Sequence, residues 1–300
     1  MGIEIQSVKL LLLARQLGVD FTETLTIGRQ DLLVDAAQVA GAFARFGEPI
    51  APADARAMSG EDDRFSTALL RRLGAARVDF MDVSDFEGAT VIHDLNTPLD
   101  PALAGRFSLV FDGGTLEHVF DTAAALRSYM ALPKVGGHLM LALPANNEMG
   151  HGFYQFSPEL FFRTLTAERG YRIRAMFLAP IFSDADWHAV RDPARVGGRV
   201  GWNGSRRQLY LFVIAERIGE GGEGATPLQS DYAAEWHAET AKPRHAHAAG
   251  LKTRLRRMLP TRAVDAALLL RDGLGGPNPR GFAPFAPGRD DPAVVEALYR

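Results

Sequence analysis

Apolar and polar positions follow two rhythms along this chain. Short apolar runs bounded by Gly, Asp, His or Pro read as strands at residues 24–27 (TLTI), 78–81 (VDFM), 89–92 (ATVI), 107–111 (FSLVF) and 138–143 (HLMLAL). Two longer runs, 171–178 and 208–215, complete a set of seven and suit a closing antiparallel pair. Between them lie stretches of helical period at 5–16, 31–46, 66–73 and 122–132. A further helix opens at Ser157 as N-cap with Pro158 in the first position, and Leu160, Phe161 and Leu165 form its apolar face. Strand-helix alternation of this kind predicts an α/β domain over residues 1–218, built on a doubly wound, mostly parallel seven-stranded sheet with a C-terminal extension. Such sheets bind ligands beyond the carboxyl ends of their strands.

The rhythm stops after Arg217. Residues 219–225 read GEGGEGA, and 219–250 has the composition of a flexible linker. A helical pattern returns over 251–270, interrupted at Pro260, with Lys252, Arg254, Arg256, Arg257 and Arg262 crowded into its first part. Leu251, Leu255, Met258 and Leu259 share one face there. Residues 251–262 therefore suit peripheral contact with an anionic membrane, contact with an acidic partner, or docking back on the domain. The Gly- and Pro-rich stretch 273–291 reads as loosely ordered, so 251–300 is expected to be a basic helical and loose tail.

Composition narrows the chemistry. The 300 residues carry a formal net charge of -3, which gives no reason to expect a nucleic-acid partner. The absence of cysteine excludes disulfides, thiolate metal sites and a cysteine nucleophile, and it fits a cytoplasmic location. The apolar run near the N-terminus is too short to span a bilayer and reads as an ordinary helix. No P-loop, G-x-S-x-G elbow or H-E-x-x-H motif stands in the chain. His237, His245 and His247 fall in the irregular stretch, where no fixed geometry is expected, so no metal site is expected there.

Three carboxylates, Asp82, Asp94 and Asp112, fall at successive strand ends. Around the last of them the run 105–119 (GRFSLVFDGGTLEHV), followed by 125–141 (ALRSYMALPKVGGHLML), resembles the fourth strand, the following helix, the glycine turn and the fifth strand of class I S-adenosylmethionine (SAM)-dependent methyltransferases. The resemblance spans about residues 22–217. It implies a Rossmann-like methyltransferase fold and SAM as cofactor. It also implies Asp82 and Val83 beside the ribose hydroxyls, Asp94 and Leu95 beside the adenine, and Asp112 and Gly113 facing the methionine portion. Each of these aspartates also has an ordinary use as a turn or cap residue. One departure is plain: where the family places a glycine-rich turn after its first strand, this chain has Gly28, Arg29 and Gln30, with a single glycine. Arg29 and Gln30 either replace the glycine contacts, Arg29 pairing with the cofactor carboxylate, or block the pocket.

For the acceptor side, Glu117 and His118 follow the fourth strand, and His151 lies in the polar and aromatic run 146–154 (NNEMGHGFY) after the fifth. These are the candidate acid–base groups, with a small-molecule or sugar-containing acceptor expected. Two other classes stay open. One is a catalytically silent binding or scaffold protein that keeps the fold. The other is a nicotinamide-dependent oxidoreductase, against which the missing G-x-G-x-x-G counts.

Overall fold

A computed structural model describes residues 2–61, 63–196, 201–202, 207–222, 226–230 and 277–299. The basic segment 251–262, most of the linker and His237, His245 and His247 lie outside the described residues. The strands are β1 (Gly2–Ile3), β2 (Glu23–Ile27), β3 (Asp31–Leu32), β4 (Arg77–Asp82), β5 (Val91–Ile92) and β6 (Phe107–Asp112). They continue with β7 (Pro133–Asn146), β8 (Tyr171–Pro180), β9 (Trp187–Val190), β10 (Leu209–Arg217) and β11 (Phe282–Phe285). The helices are α1 (Ile5–Gln16), α2 (Ala36–Arg45), α3 (Pro52–Ala57), α4 (Thr67–Arg72), α5 (Thr122–Ala131), α6 (Pro158–Thr164), α7 (Pro193–Val196) and a last one, α8 (Pro292–Ala297).

Among the described residues nine strands form the main sheet, in the order β11-β9-β8-β10-β7-β6-β2-β4-β5, while β1 and β3 make a separate parallel pair. The half from β7 to β5 is parallel throughout. The other half, joined through β10, is antiparallel at every pairing. The sheet is thus mixed and larger than the mostly parallel seven-stranded one that the pattern predicts. The long runs 171–178 and 208–215 do pair antiparallel, as β8 and β10. The two extra strands come from segments too short and too interrupted by Pro and polar residues to announce themselves.

Side chains alternate across the sheet, so each strand feeds two cores. From β6, Leu109 and Phe111 meet the helices α1, α2 and α4 on one face. Val110, with Leu139 and Leu141 of β7, meets α5 and α6 on the other. Helix α1 is buried along nearly its whole length, polar Gln6, Ser7 and Lys9 included, so its sequence carries no single apolar stripe. Its Gln6 ties it to the sheet: Trp187 Nε1 donates to Gln6 Oε1 at 2.8 Å, and Gln6 Nε2 donates to the Ala185 carbonyl at 2.8 Å. Among the described residues no helix is long and apolar enough to cross a membrane.

Two local expectations are corrected. A helix over 31–46 begins later, because Asp31 and Leu32 pair with β1, and Asp35 then caps α2 reciprocally with Gln38. The end of the chain, expected to be loose, is built in. Strand β11 pairs with β9, and Phe285 stacks on Phe177 at 5.0 Å. The Tyr299 hydroxyl accepts from the Met176 N–H at 3.1 Å and lies 2.7 Å from the Val190 carbonyl. Apolar residues spaced among the prolines, each used singly, carry this docking, and no periodic window reveals them.

His138, in β7, is buried with neither ring nitrogen hydrogen-bonded to a described residue, and burial pulls its pKa down to about 4. A base depressed in the folded state contributes stability above its unfolded pKa, near 6.5, and loses it as the pH falls toward 4. His138→Leu is therefore expected to remove a pH-dependent destabilisation on the order of 3 kcal/mol across that window, read from urea unfolding at stepped pH. Parallel wild-type and variant curves would contradict the assignment.

Candidate functional site

The carboxyl end of β6 is organised by one buried side chain. Asp112 Oδ1 accepts from the backbone N–H groups of Gly114 (3.0 Å) and Thr115 (2.7 Å). Its Oδ2 accepts from the Leu116 N–H (3.0 Å) and from the Tyr129 hydroxyl of α5 (3.0 Å). Burial pushes the Asp112 carboxyl up, against the hydrogen bonds that favour its ionised form. Asp112 was expected to face a ligand; with its oxygens occupied and its surface fully buried, it is instead the knot that turns the chain. Gly114, at φ +103°, makes that turn, and a Cβ there would stand 3.1 Å from Glu117 Oε1.

The turn delivers Glu117 and His118, which sit in the short 3-10 turn Leu116–His118. The segment after β7 folds back over them. Asn147 adopts φ +60°, the His151 N–H donates to the Glu148 carbonyl at 3.0 Å, and the Phe153 N–H donates to the Glu117 carbonyl at 2.7 Å. Gly152 permits this approach, since a Cβ there would lie 2.7 Å from the Glu117 carbonyl oxygen. All three acid–base candidates from the sequence therefore meet. Glu117 Oε1 lies 3.6 Å from His151 Nε2 and 4.0 Å from His118 Nε2, and the two rings stand edge to face at 5.0 Å.

The electrostatics are unequal. Glu117 is wholly buried, and neither carboxylate oxygen accepts a hydrogen bond from a described residue. Burial, and next the Asp112 charge, push its carboxyl well above the ordinary range. The His118 and His151 side chains stay 45% and 47% exposed. Burial and the neighbouring His151 pull the His118 pKa down. Beside the cluster stand exposed Phe120, Met149 and Phe153, with Phe120 and Phe153 in edge contact at 6.0 Å. Glu148, buried in the same segment, accepts from Gln208 Nε2 at 3.2 Å.

The neighbouring strand ends carry the other expected residues. Gly28, at φ +70°, closes the end of β2 and donates its N–H to the Met81 carbonyl at 2.7 Å. Arg29, expected to reach a ligand carboxylate, lies instead over the Phe65 ring (3.7 Å to its centroid) and donates from Nη1 to the Glu87 carbonyl at 2.9 Å. Gln30 points inward: its Nε2 donates to the Ile27 carbonyl at 2.6 Å, and its Oε1 is buried without a hydrogen bond from a described residue. Gln30 Oε1 stands where a Cβ on Gly113 would be, 2.4 Å away, so Gly113 makes room for Gln30 rather than for open space. Asp82 Oδ1 accepts from the Val83 N–H at 2.6 Å, and Val83 is exposed beside it. Asp94 is exposed; the Asn96 backbone and side chain both donate to it and hold its carboxyl low, while Leu95 packs inward.

Sequence reasoning had no means to single out Tyr129, Gly114 and Gly152. Tyr129 continues the apolar face of Leu126 and reads as core, and the two glycines matter through contacts distant in sequence. A separate cleft of about 1260 Å³ lies against α5 and α6. It includes Phe120 and Tyr154, none of the residues expected at the site, and, from the strands, Tyr171 at the start of β8 and Arg217 at the end of β10.

No family model and no curated protein matches this sequence. Among solved structures, the chain is similar to the branched-chain polyamine synthase of Thermus thermophilus bound to N4-aminopropylspermidine and 5'-methylthioadenosine, at 15% identity and TM-score 0.37 over 76% of this chain. It spans 60% of that synthase's length. It is also similar to the Burkholderia thailandensis 1,6-didemethyltoxoflavin-N1-methyltransferase bound to its substrate and S-adenosylhomocysteine, at 16% identity and TM-score 0.35, covering 70% of this chain and 77% of that one. Likenesses this remote assign neither family nor activity.

Asp112→Ala strands three backbone N–H groups and a tyrosine hydroxyl in a buried turn. Urea unfolding is expected to show a loss on the order of 3–5 kcal/mol. A loss below about 1 kcal/mol would mean that Asp112 does not organise the turn.

Proposed function

We propose that this chain is a SAM-dependent methyltransferase acting on a small-molecule or sugar-containing acceptor. The observation that carries the reading is the placement of Asp82, Gly28 and the Glu117–His118–His151 cluster along one edge, at the carboxyl ends of adjacent parallel strands. Ligands of doubly wound sheets bind at that edge. The resemblance of residues 105–119 and 125–141 to the methyltransferase pattern selects SAM over a nicotinamide.

The residues fit such a cofactor in part. Asp82 gives one oxygen to its own turn, and its Oδ2 takes no hydrogen bond from a described residue, which suits a ribose diol. Asp94 and Leu95 stand beside it for the base, and Val83 offers apolar surface. Gln30 Oε1, buried and unpartnered, offers an acceptor next to Gly113. Bound there, SAM supplies an electrophilic methyl group on a sulfonium.

The rest falls to the protein. Methyl transfer by displacement asks for alignment of donor and acceptor, and the strand-end turns are held by hydrogen bonds rather than by loose loops. Phe120, Met149 and Phe153 present an apolar rim to the acceptor. His151, with His118 and Glu117, receives its polar end and takes up its proton. The inward Gln30 side chain and the stacked Arg29 favour a second reading, a silent scaffold whose pocket is filled.

Titration calorimetry of the full chain with SAM and S-adenosylhomocysteine separates the two. Micromolar binding is expected, weakened roughly tenfold to a hundredfold in Asp82→Ala, the range for loss of a charged hydrogen bond. His151→Ala should leave that affinity within about twofold, as a residue on the acceptor side. Absence of binding by folded wild-type protein would overturn the enzyme reading in favour of the scaffold.

A further inference from the structure

We propose that Glu117, His118 and His151 bind one divalent transition-metal ion at the mouth of the candidate site. The claim stands on these side chains alone, so it survives or fails independently of SAM binding; an ion there would bind the acceptor's oxygen and replace direct uptake of its proton by His151.

The first ground is the state of Glu117. A carboxyl group that is wholly buried with no hydrogen bond from a described residue to either oxygen is costly, and native proteins rarely leave one so. The second is distance. Its Oε1 stands 3.6 Å and 4.0 Å from the two imidazole Nε2 atoms, and the three potential ligand atoms lie within 4.8 Å of one another. These separations are too long for direct hydrogen bonds. They are near the spacing of two ligands on a common ion, about 3.4 Å for a tetrahedral site with bonds of about 2.1 Å. Closing the set from within 4.8 Å to that spacing asks the widest pair to approach by about 1.4 Å, which rotation of the half-exposed imidazoles supplies.

The surroundings fit an ion as well. Gly114 and Gly152 leave the carboxylate its space, and backbone hydrogen bonds hold both segments in place. A second carboxylate, Glu148, is close enough to act on both Glu117 and His151 and adds negative charge around the site. Two imidazoles and one carboxylate suit zinc, iron, cobalt or manganese rather than calcium or magnesium, which favour all-oxygen shells. With one ligand buried and two half exposed, the ion would keep open positions toward solvent, as metal sites that receive a substrate oxygen do.

The test uses the full chain, freed of any affinity tag and stripped of metal, titrated with Co2+ by absorption and with Zn2+ by competition. About one tightly bound equivalent is expected, with affinity falling at least tenfold in Glu117→Gln, His118→Ala and His151→Ala, and with Zn2+ raising the wild-type melting temperature. His118 and His151 are half exposed, so their variants keep the test informative if Glu117→Gln folds poorly. Binding that is unchanged in the two histidine variants would place the ion elsewhere, on His237, His245 or His247, and overturn the proposal. So would a wild-type chain that binds no ion.

Discussion

One buried carboxylate holds the candidate site together. Asp112 ends the central strand β6 and spends its oxygens on three successive backbone N–H groups and the Tyr129 hydroxyl. The hydrogen bonds bend the chain at once into the turn that carries Glu117 and His118, and they anchor that turn to α5. Its neighbours are placed relative to it: the 146–154 segment docks on the Glu117 carbonyl, and Thr115 reaches back to the Ile27 carbonyl at 3.1 Å. A charged acceptor buried under backbone donors is strong and directional, so the turn has one geometry available.

The sheet supplies the frame. Its parallel half brings the ends of β2, β4 and β6 to one edge, and two buried cores hold that edge from both faces. The antiparallel half and the returning C-terminal strand β11 stiffen the opposite side. That division of labour leaves the carboxyl edge free to carry costly groups, of which Glu117 and Gln30 are the clearest.

Much of this was legible in the chain. Apolar runs marked β2, β4, β6, β7, β8 and β10, because period-two burial between helices leaves a dense signal. The cluster of Glu117, His118 and His151 was visible as two polar segments after adjacent strands, since topology puts such ends together. What stayed hidden depends on direction rather than on residue type. Asp82 and Asp112 have the same place at a strand end, yet one is half exposed and the other buried in its own turn. Arg29 could be expected to seek an anion, but the Phe65 and Phe80 faces and the Glu87 carbonyl hold it. The strand Phe282–Phe285 is four residues with a proline, too brief for any pattern to flag.

In the proposed enzyme a nucleoside cofactor and its acceptor meet over the Asp112 turn, and hydrogen–deuterium exchange of the full chain with and without S-adenosylhomocysteine is the test. Slowed exchange is expected in two segments together, residues 28–30 after β2 and 82–85 after β4, with residues 113–119 following. Exchange unchanged at all of these, or slowed only along the cleft against α5 and α6, would contradict it.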